Sequence, residues 1–503
     1  MVKRRMEALA GGAQGAIAAQ HAAGKLTARE RIEILTDAGS FEEFGLFVKP
    51  RASHLGADQK PGPAEGVVTG WGMVNGRKIF VFAKDYTVLG GSLSEAHALK
   101  IARLQEMALH NKAPLIGLYD SAGLRVQEGL AALAGLADVL QRHVSLSGVV
   151  PQISLILGPC VGADSLAPAL GDFTFMVKDT SVMFVTGPDV VREVRDEHVS
   201  AEELGGAAVH TTQSGLADGA YENEIEALRQ MRRLIDFLPA SNQDEVPSWP
   251  SFDDAGRCEA SLDRLAPADS AKPYDMKELI AKTVDEGDFF EIQAAHARNI
   301  IIGFGRLDGR VVGFVANQPL VLAGTLDADA SRKAARFVRF CDGFHIPIVT
   351  FVDVPGFLPG TGQEHGGLIK EAAKLLYAYA EASVPKVTLI TRKAFGGAYA
   401  VMASKPLRGD ISYAWPGARI GLMSAKSAVE ILYEGETQEA EKIAERMRDY
   451  EERCLSPYAA AEGFHIDDVI FPRETRPRLI RALSLLHGKR RPNPWKKHGN
   501  IPL

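Results

Sequence analysis

The 503-residue sequence has no run of 18 apolar, uncharged residues, which excludes a transmembrane helix on length grounds. Cysteine is scarce: Cys160, Cys258, Cys341 and Cys454 are the only four, roughly a hundred residues apart. That spacing suits neither a disulfide framework nor a zinc cluster and predicts reduced thiols. A surplus of positive charge is also missing. With 57 Lys and Arg against 63 Asp and Glu, the net charge of −6 gives no general pull toward nucleic acid or an anionic membrane. No Gly-x-Ser-x-Gly elbow supports a serine hydrolase, and Ser121 lacks that setting. No His-Glu-x-x-His pair or compact His/Cys cluster marks a metal site, so no metal is expected. The start, "MVKRRMEALAGGAQGAIAAQ", is basic and Ala-rich without the concentrated apolar core and cleavage site of a secretory signal. A cytoplasmic location is the expectation.

What is present is ordinary globular composition, 46% hydrophobic and 24% charged, in a chain long enough for two or three substantial cores. Short Val/Ile/Phe-rich runs alternate with amphipathic stretches, as in "KIFVFAKD" before "LSEAHALKIARLQEMALHNK" and "RVVGFVANQ" before "DASRKAARFVRFCDGFH". This alternation predicts an α/β fold. Residues 240–275, rich in Pro, Asp and Ser, read as a connector between domains spanning 1–250 and 270–503.

The two halves resemble each other. "APLIGLYDSAG" parallels "IPIVTFVDVPG", "PQISLILGPCVGADS" parallels "PKVTLITRKAFGGAY", and "SVMFVTGPDVV" parallels "ISYAWPGARIGLM". Three matches in one order, each roughly 230 residues apart, indicate an internal duplication. In each half, strands end in glycine-containing turns with a helix expected just beyond. Glycine permits unusual backbone angles and close ligand approach. The exposed N–H groups of a helix start hold developing negative charge, the requirement of an oxyanion hole. One isolated Gly-Gly, such as Gly396–Gly397, would read as a packing device; the device at four strand ends reads as function.

At this point the chain resembles the carboxyltransferase (β) subunits of biotin-dependent acyl-CoA carboxylases, most closely the propionyl-CoA carboxylase type. The motifs are "GKLTARERIEILTDAGSFEEF", "GGSLSEAHALKI", "FVDVPGFLPGTGQEHGG", "KLLYAYAEASVPKVTLITRKAFGGAYAVMASK" and the terminal "KKHGNIPL". The resemblance implies two duplicated crotonase-like (ββα superhelix) domains, with acyl-CoA on the first and carboxybiotin on the second. It also implies a homohexameric core, and transfer of CO2 from biotin to the acyl α-carbon.

Carried over by position, the amides of Gly397 and Ala398 would face the biotin carbonyl, and those of Ala122 and Gly123 the acyl thioester. Ala400, Phe395, Tyr399, Ala163 and Asp164 would bind substrate, with Ala400 at the end of the acyl pocket, where propionyl-type relatives often carry Asp. Asp120, Arg125, Glu128, Asp353 and His365 read as loop-shaping residues. No Met-Lys-Met biotinylation site and no phosphate loop is present; "DMKEL" around Lys277 has the wrong flanks. Coenzyme A therefore enters as part of the substrate. Biotin would have to arrive on a partner α subunit that carries the biotin carboxylase and biotin carboxyl carrier functions. Lys84, Ala122, Ala163, Asp164, Ser424 and Ser427 depart from the family's usual pattern around the expected site and bear on substrate choice. A decarboxylase subunit running the same step backwards and a non-catalytic scaffold are the alternative readings. The basic segment 487–499 reads as a solvated tail, or as a contact for a CoA phosphate or another subunit.

Overall fold

The computed structural model describes residues 1–49, 64–269, 271–435, 439–489 and 491–502. They form two compact units, Met1–Glu245 and Val246–Leu503. The first contains β1 (Glu42–Phe44), β2 (Val67–Val74), β3 (Arg77–Lys84), β4 (Leu115–Ser121), β5 (Gln152–Val161), β6 (Phe173–Val177), β7 (Val182–Phe184) and β8 (Gly219–Tyr221). The second contains β9 (Phe289–Ile292), β10 (Ile300–Leu307), β11 (Arg310–Asn317), β12 (Ile348–Val354), β13 (Lys386–Phe395), β14 (Ile411–Ala414), β15 (Arg419–Gly421) and β16 (Asp468–Val469).

The first sheet runs β1-β2-β3-β4-β5-β6-β8 with β7 also on β5, and the second runs β9-β10-β11-β12-β13-β14-β16 with β15 also on β13. Strand for strand the two are the same topology. In each, the first three strands pair antiparallel and the rest parallel. The central strands β4 and β12 are buried along their whole length. Covered on both faces, they carry continuous apolar runs rather than alternation. The duplication read from the sequence is thus a duplication of the whole sheet.

Local signals fix the helices that cover these sheets. Ser94 caps Glu95–Asn111 by accepting from His97 N–H at 2.9 Å, and Asp327 caps Ala328–Gly343 by accepting from Ala330 N–H at 2.8 Å. Both helices were legible as amphipathic stretches. Each packs on a second helix of its own unit, Leu130–Leu146 and Leu368–Glu381 respectively.

The polar stretch expected to be a connector behaves otherwise over its described residues. Trp249 N–H donates to Gly309 O at 2.9 Å, and Leu262 and Tyr274 are buried in the core of the second unit. The guanidinium of Arg476, itself buried, donates to the carbonyls of Asp253 and Asp254. Two apolar anchors spaced along a polar run suffice to dock it, and such anchors are invisible to periodicity.

Candidate active site

Two strands in each unit end at the same edge, and their ends differ in kind. At the end of β4 and of β12 the ladder slips by two residues, between Tyr119 and Ser121 and between Val352 and Val354. The residues at the slips, Asp120 and Asp353, are fully buried. Asp120 accepts from Lys25 Nζ at 2.7 Å, Gln20 Nε2 at 2.8 Å and Arg31 Nη2 at 2.9 Å; Arg31 also donates to Glu224. A Cβ on Gly158 would stand 2.0 Å from Asp120 Oδ1, so glycine there makes room for this network. At the equivalent place on β13 stands Arg392, which donates to Asp353 Oδ2 at 3.0 Å. Both aspartates are structural anchors with cationic partners. Arg125 has the same character: it holds Glu65 at 2.6 Å and Ser92 O at 3.0 Å, and Glu128 accepts from Glu95 N–H at 2.9 Å.

The amides after β4 do not match expectation. Ala122 N–H donates to Gly90 O at 2.8 Å, and Gly123 N–H to Ser121 Oγ at 3.1 Å. Neither is free to hold an acyl oxygen. The cause is topological: the chain after β4 is stitched to residues 90–93, with Leu93 N–H on Gly123 O and Arg125 N–H on Leu93 O, and the first helical turn, the 3-10 turn Val126–Glu128, begins only beyond that stitch, before the α-helix from Leu130. The strand-end device therefore occurs at two ends, after β5 and after β13.

After β13 the helix Gly396–Val401 begins at once, with no side chain capping it. Its first N–H groups have no acceptor within the helix they open. Gly396 has φ +60°, a left-handed angle that accounts for that glycine. Gly397 is different. It is exposed, its φ is ordinary, and an added Cβ would meet only Phe357 Cε2 at 3.4 Å. The fold does not demand glycine there. After β5 the chain makes the corresponding move: Gly162 at φ +70°, a 3-10 turn Gly162–Ser165 without a side-chain cap, then a helix from Leu166. Ala163 and Asp164 are the counterparts of Gly397 and Ala398.

The remaining expected substrate residues divide. Ala400 is exposed on its helix, and its carbonyl accepts from Ser404 Oγ at 2.8 Å. Tyr399 is half-buried; its hydroxyl has no partner among the described residues, and burial pushes its pKa up to about 12. Ala163 is half-buried. Phe395 is buried against Ala425 and Leu455 and is a packing residue, because the end of β13 runs beside β15 and the chain beyond it. Asp164 also corrects its expectation: it is 1% exposed, and its carboxylate bonds Lys84 instead of facing outward. His365 is exposed. Among the described residues no group of three His, Cys, Asp or Glu is placed to hold a metal ion, and no helix is long and apolar enough to cross a membrane.

Comparison with known proteins decides the family. The carboxyl transferase domain model matches residues 19–501. The chain belongs to the carboxyl transferase family. It is 61% identical over 500 residues to the propionyl-CoA carboxylase beta chain of Cereibacter sphaeroides, covering 99% of this chain and 98% of that one. The mitochondrial propionyl-CoA carboxylase beta chain of Homo sapiens is 54% identical over 502 residues, 99% of this chain and 92% of that one. A crystal structure of transcarboxylase 12S, a hexamer with methylmalonyl-coenzyme A and methylmalonic acid bound, superposes with a TM-score of 0.97 at 44% identity over 100% of this chain and 98% of that one. The chain is an enzyme of the carboxyltransferase-subunit type found in acyl-CoA carboxylases, built from two crotonase-like domains.

Against that family pattern, several departures acquire partners. Ser424 caps the helix Ala425–Leu432 by accepting from Ser427 N–H at 3.2 Å, and the two hydroxyls lie 3.0 Å apart. Both serines serve a helix start. Lys84 and Asp164, 80 positions apart, form one buried ion pair that local sequence reasoning did not connect. The C-terminal basic segment is tied down rather than free: Lys489 donates to Asp410 at 2.6 Å, and Asn493 to Glu381 O at 2.7 Å.

Proposed function

We propose that the chain transfers a carboxyl group between biotin carried by a partner subunit and the α-carbon of a short-chain acyl-CoA, with propionyl-CoA as substrate. The observation that carries this reading is Gly397: an exposed glycine at an uncapped helix start, which neither backbone angle nor packing requires. Such a position suits a group that must come within hydrogen-bond reach of the backbone. The residues present fit a ureido carbonyl, and the Gly397 and Ala398 N–H groups would hold its oxygen. When bound, carboxybiotin supplies the CO2 and a departing nitrogen able to take the α-proton. The turn after β5 is the acyl-side counterpart. There the N–H groups of Ala163 and Asp164 hold the thioester oxygen as charge develops on it during loss of the α-proton. Hydrogen bonds that strengthen as charge develops lower the barrier without any titrating side chain. This assignment replaces Ala122 and Gly123, whose amides are engaged.

The beta-chain designation of the propionyl-CoA carboxylase relatives supports a further, α-type subunit, to which the proposal gives the biotin carboxylase and biotin carrier functions, and the transcarboxylase 12S hexamer supports self-assembly of this chain. Four unpaired thiols suit a reducing compartment, for which the reading is the cytoplasm.

Substrate length is the testable refinement. Ala400 leaves the acyl end small and uncharged, so an added methylene gains up to about 0.8 kcal/mol where Asp would resist it. The experiment is co-purification with endogenous biotinylated protein, followed by kcat/KM for acetyl-, propionyl- and butyryl-CoA in wild type and Ala400→Asp. Propionyl-CoA is expected to be preferred, and Ala400→Asp to lower the butyryl-to-propionyl ratio. An unchanged ratio removes position 400 from length selection.

A further inference from the structure

Lys84 is the last residue of β3, and Asp164 lies three residues past β5, with β4 running between those strands. Lys84 Nζ donates to Asp164 Oδ1 at 2.7 Å and to Oδ2 at 2.5 Å, and both side chains are 1% exposed. On its way the ammonium passes 5.2 Å from the Tyr119 ring centroid on β4. The pair thus lashes the turn after β5 to the end of β3 across the end of the central strand. Ser165 Oγ, donating to Gly162 O at 2.7 Å, ties the same turn internally.

Fold stability does not explain this device. Desolvating two charges costs about as much as their attraction returns, and apolar residues of similar volume commonly serve as well. The second unit makes the point within the same chain. Its equivalent positions are Asn317 and Ala398, both uncharged and buried, and its sheet has the same topology. There the turn is seated by Ala398 packing inward, and Asn317 spans only from Gly324 O to Asp353 N–H. The charged lash is a property of the first unit alone, at the residue whose own N–H belongs to the turn.

We propose that the Lys84–Asp164 ion pair is a positioning pair for the acyl-side turn, fixing the direction of the Ala163 and Asp164 N–H groups. The proposal rests on the reading that this turn holds the thioester oxygen. Neither side chain touches substrate; they act through the backbone that carries Asp164. A small misdirection of catalytic groups costs up to about 100-fold in rate.

The test uses the purified chain with methylmalonyl-CoA as carboxyl donor and free biotin as acceptor. Lys84→Met/Asp164→Leu removes both charges together and leaves no unpaired buried ion. It is expected to melt near the wild-type temperature, while kcat falls about 10- to 100-fold and KM for methylmalonyl-CoA stays within about threefold. Lys84→Gln/Asp164→Asn, which keeps a hydrogen bond at the same place, is expected to recover part of the lost kcat; it also serves as the test if the apolar pair does not fold. Wild-type kcat in a folded double variant, or a loss confined to KM, overturns the positioning role. Ala163→Pro separates this from the underlying reading by deleting one N–H of the turn. If it abolishes turnover while the double variants remain fully active, the turn assignment stands and the pair's role falls. If Ala163→Pro leaves turnover intact, the turn assignment falls and the proposal with it.

Discussion

At the scale of single residues, the two glycines that open the helix after β13 do different work. Gly396 sits at φ +60°, where a side chain is strained, and its would-be Cβ approaches Leu422 O at 3.1 Å. Gly397 has neither constraint, and the proposed function accounts for its missing side chain by the approach of a ligand from outside. The separation yields a prediction. Gly397→Val is expected to fold and assemble normally and to lose carboxyl transfer by about 100-fold or more, the scale of one lost oxyanion donor. A soluble variant with wild-type turnover would return Gly397 to the packing residues. Gly158 is the contrasting case, since a methyl there collides with the carboxylate of Asp120 and with Lys25 Nζ at 2.5 Å. Reading glycines from sequence located the strand-end turns but could not sort one kind of glycine from the other. The sorting depends on Phe357 and on Asp120, which lie about 40 residues away from the glycines they define and meet them only across adjacent parallel strands.

At the scale of elements, β13 carries the candidate site at its far end and a buried cation at its start. Lys386 donates to Tyr379 O at 2.6 Å and Ala382 O at 3.0 Å, the carbonyls that end the helix Leu368–Glu381. A cation at a helix C-terminus is well placed. Even so, burial, followed by repulsion from Lys489, lowers the Lys386 pKa to about 8 against the pull of Asp410. In the unfolded chain the group titrates near its ordinary value of about 10.4. Between pH 8 and that value the unfolded state holds more protons, so this group's penalty on folding is complete below pH 8 and fades as pH rises. The stability of wild type relative to Lys386→Met is therefore expected to improve between pH 7.5 and 9.5, measured by urea unfolding at each pH. The comparison matters because buried Cys341 and Tyr379, whose pKa values are raised, act in the opposite sense in both proteins. A constant difference across that range would show that Lys386 is not penalised by burial.

Element boundaries were largely legible. Capping residues Ser94 and Asp327 stand directly before amphipathic runs, and the apolar runs of β4 and β12 are long enough to mark buried parallel strands. What lay beyond reading were pairings across elements. Lys84 with Asp164, and Asp120 with Gln20, Lys25 and Arg31, depend on which strands are neighbours, and no local periodicity carries that information. The amides expected to form an oxyanion pair at 122–123 are engaged elsewhere: Ala122 N–H donates to Gly90 O on an upstream segment, and Gly123 N–H to the nearby Ser121 Oγ.

At the scale of the whole molecule, two copies of one sheet each carry an uncapped helical start after a central strand, and the copies have diverged in how that turn is held. The second unit uses an uncharged, tightly packed seat at Ala398, and the first uses a buried ion pair. On the proposed reading, a reaction in which negative charge appears on two oxygens is served by two such turns, with biotin brought by a partner subunit. The most direct measurement of this account is carboxyl transfer by the purified chain from methylmalonyl-CoA to free biotin, followed as propionyl-CoA formed without ATP. The account predicts transfer that needs biotin, is indifferent to ATP and falls about 100-fold in Gly397→Val. Failure of the wild-type chain to transfer a carboxyl group to biotin, or fixation of bicarbonate by the isolated chain with ATP, would contradict it.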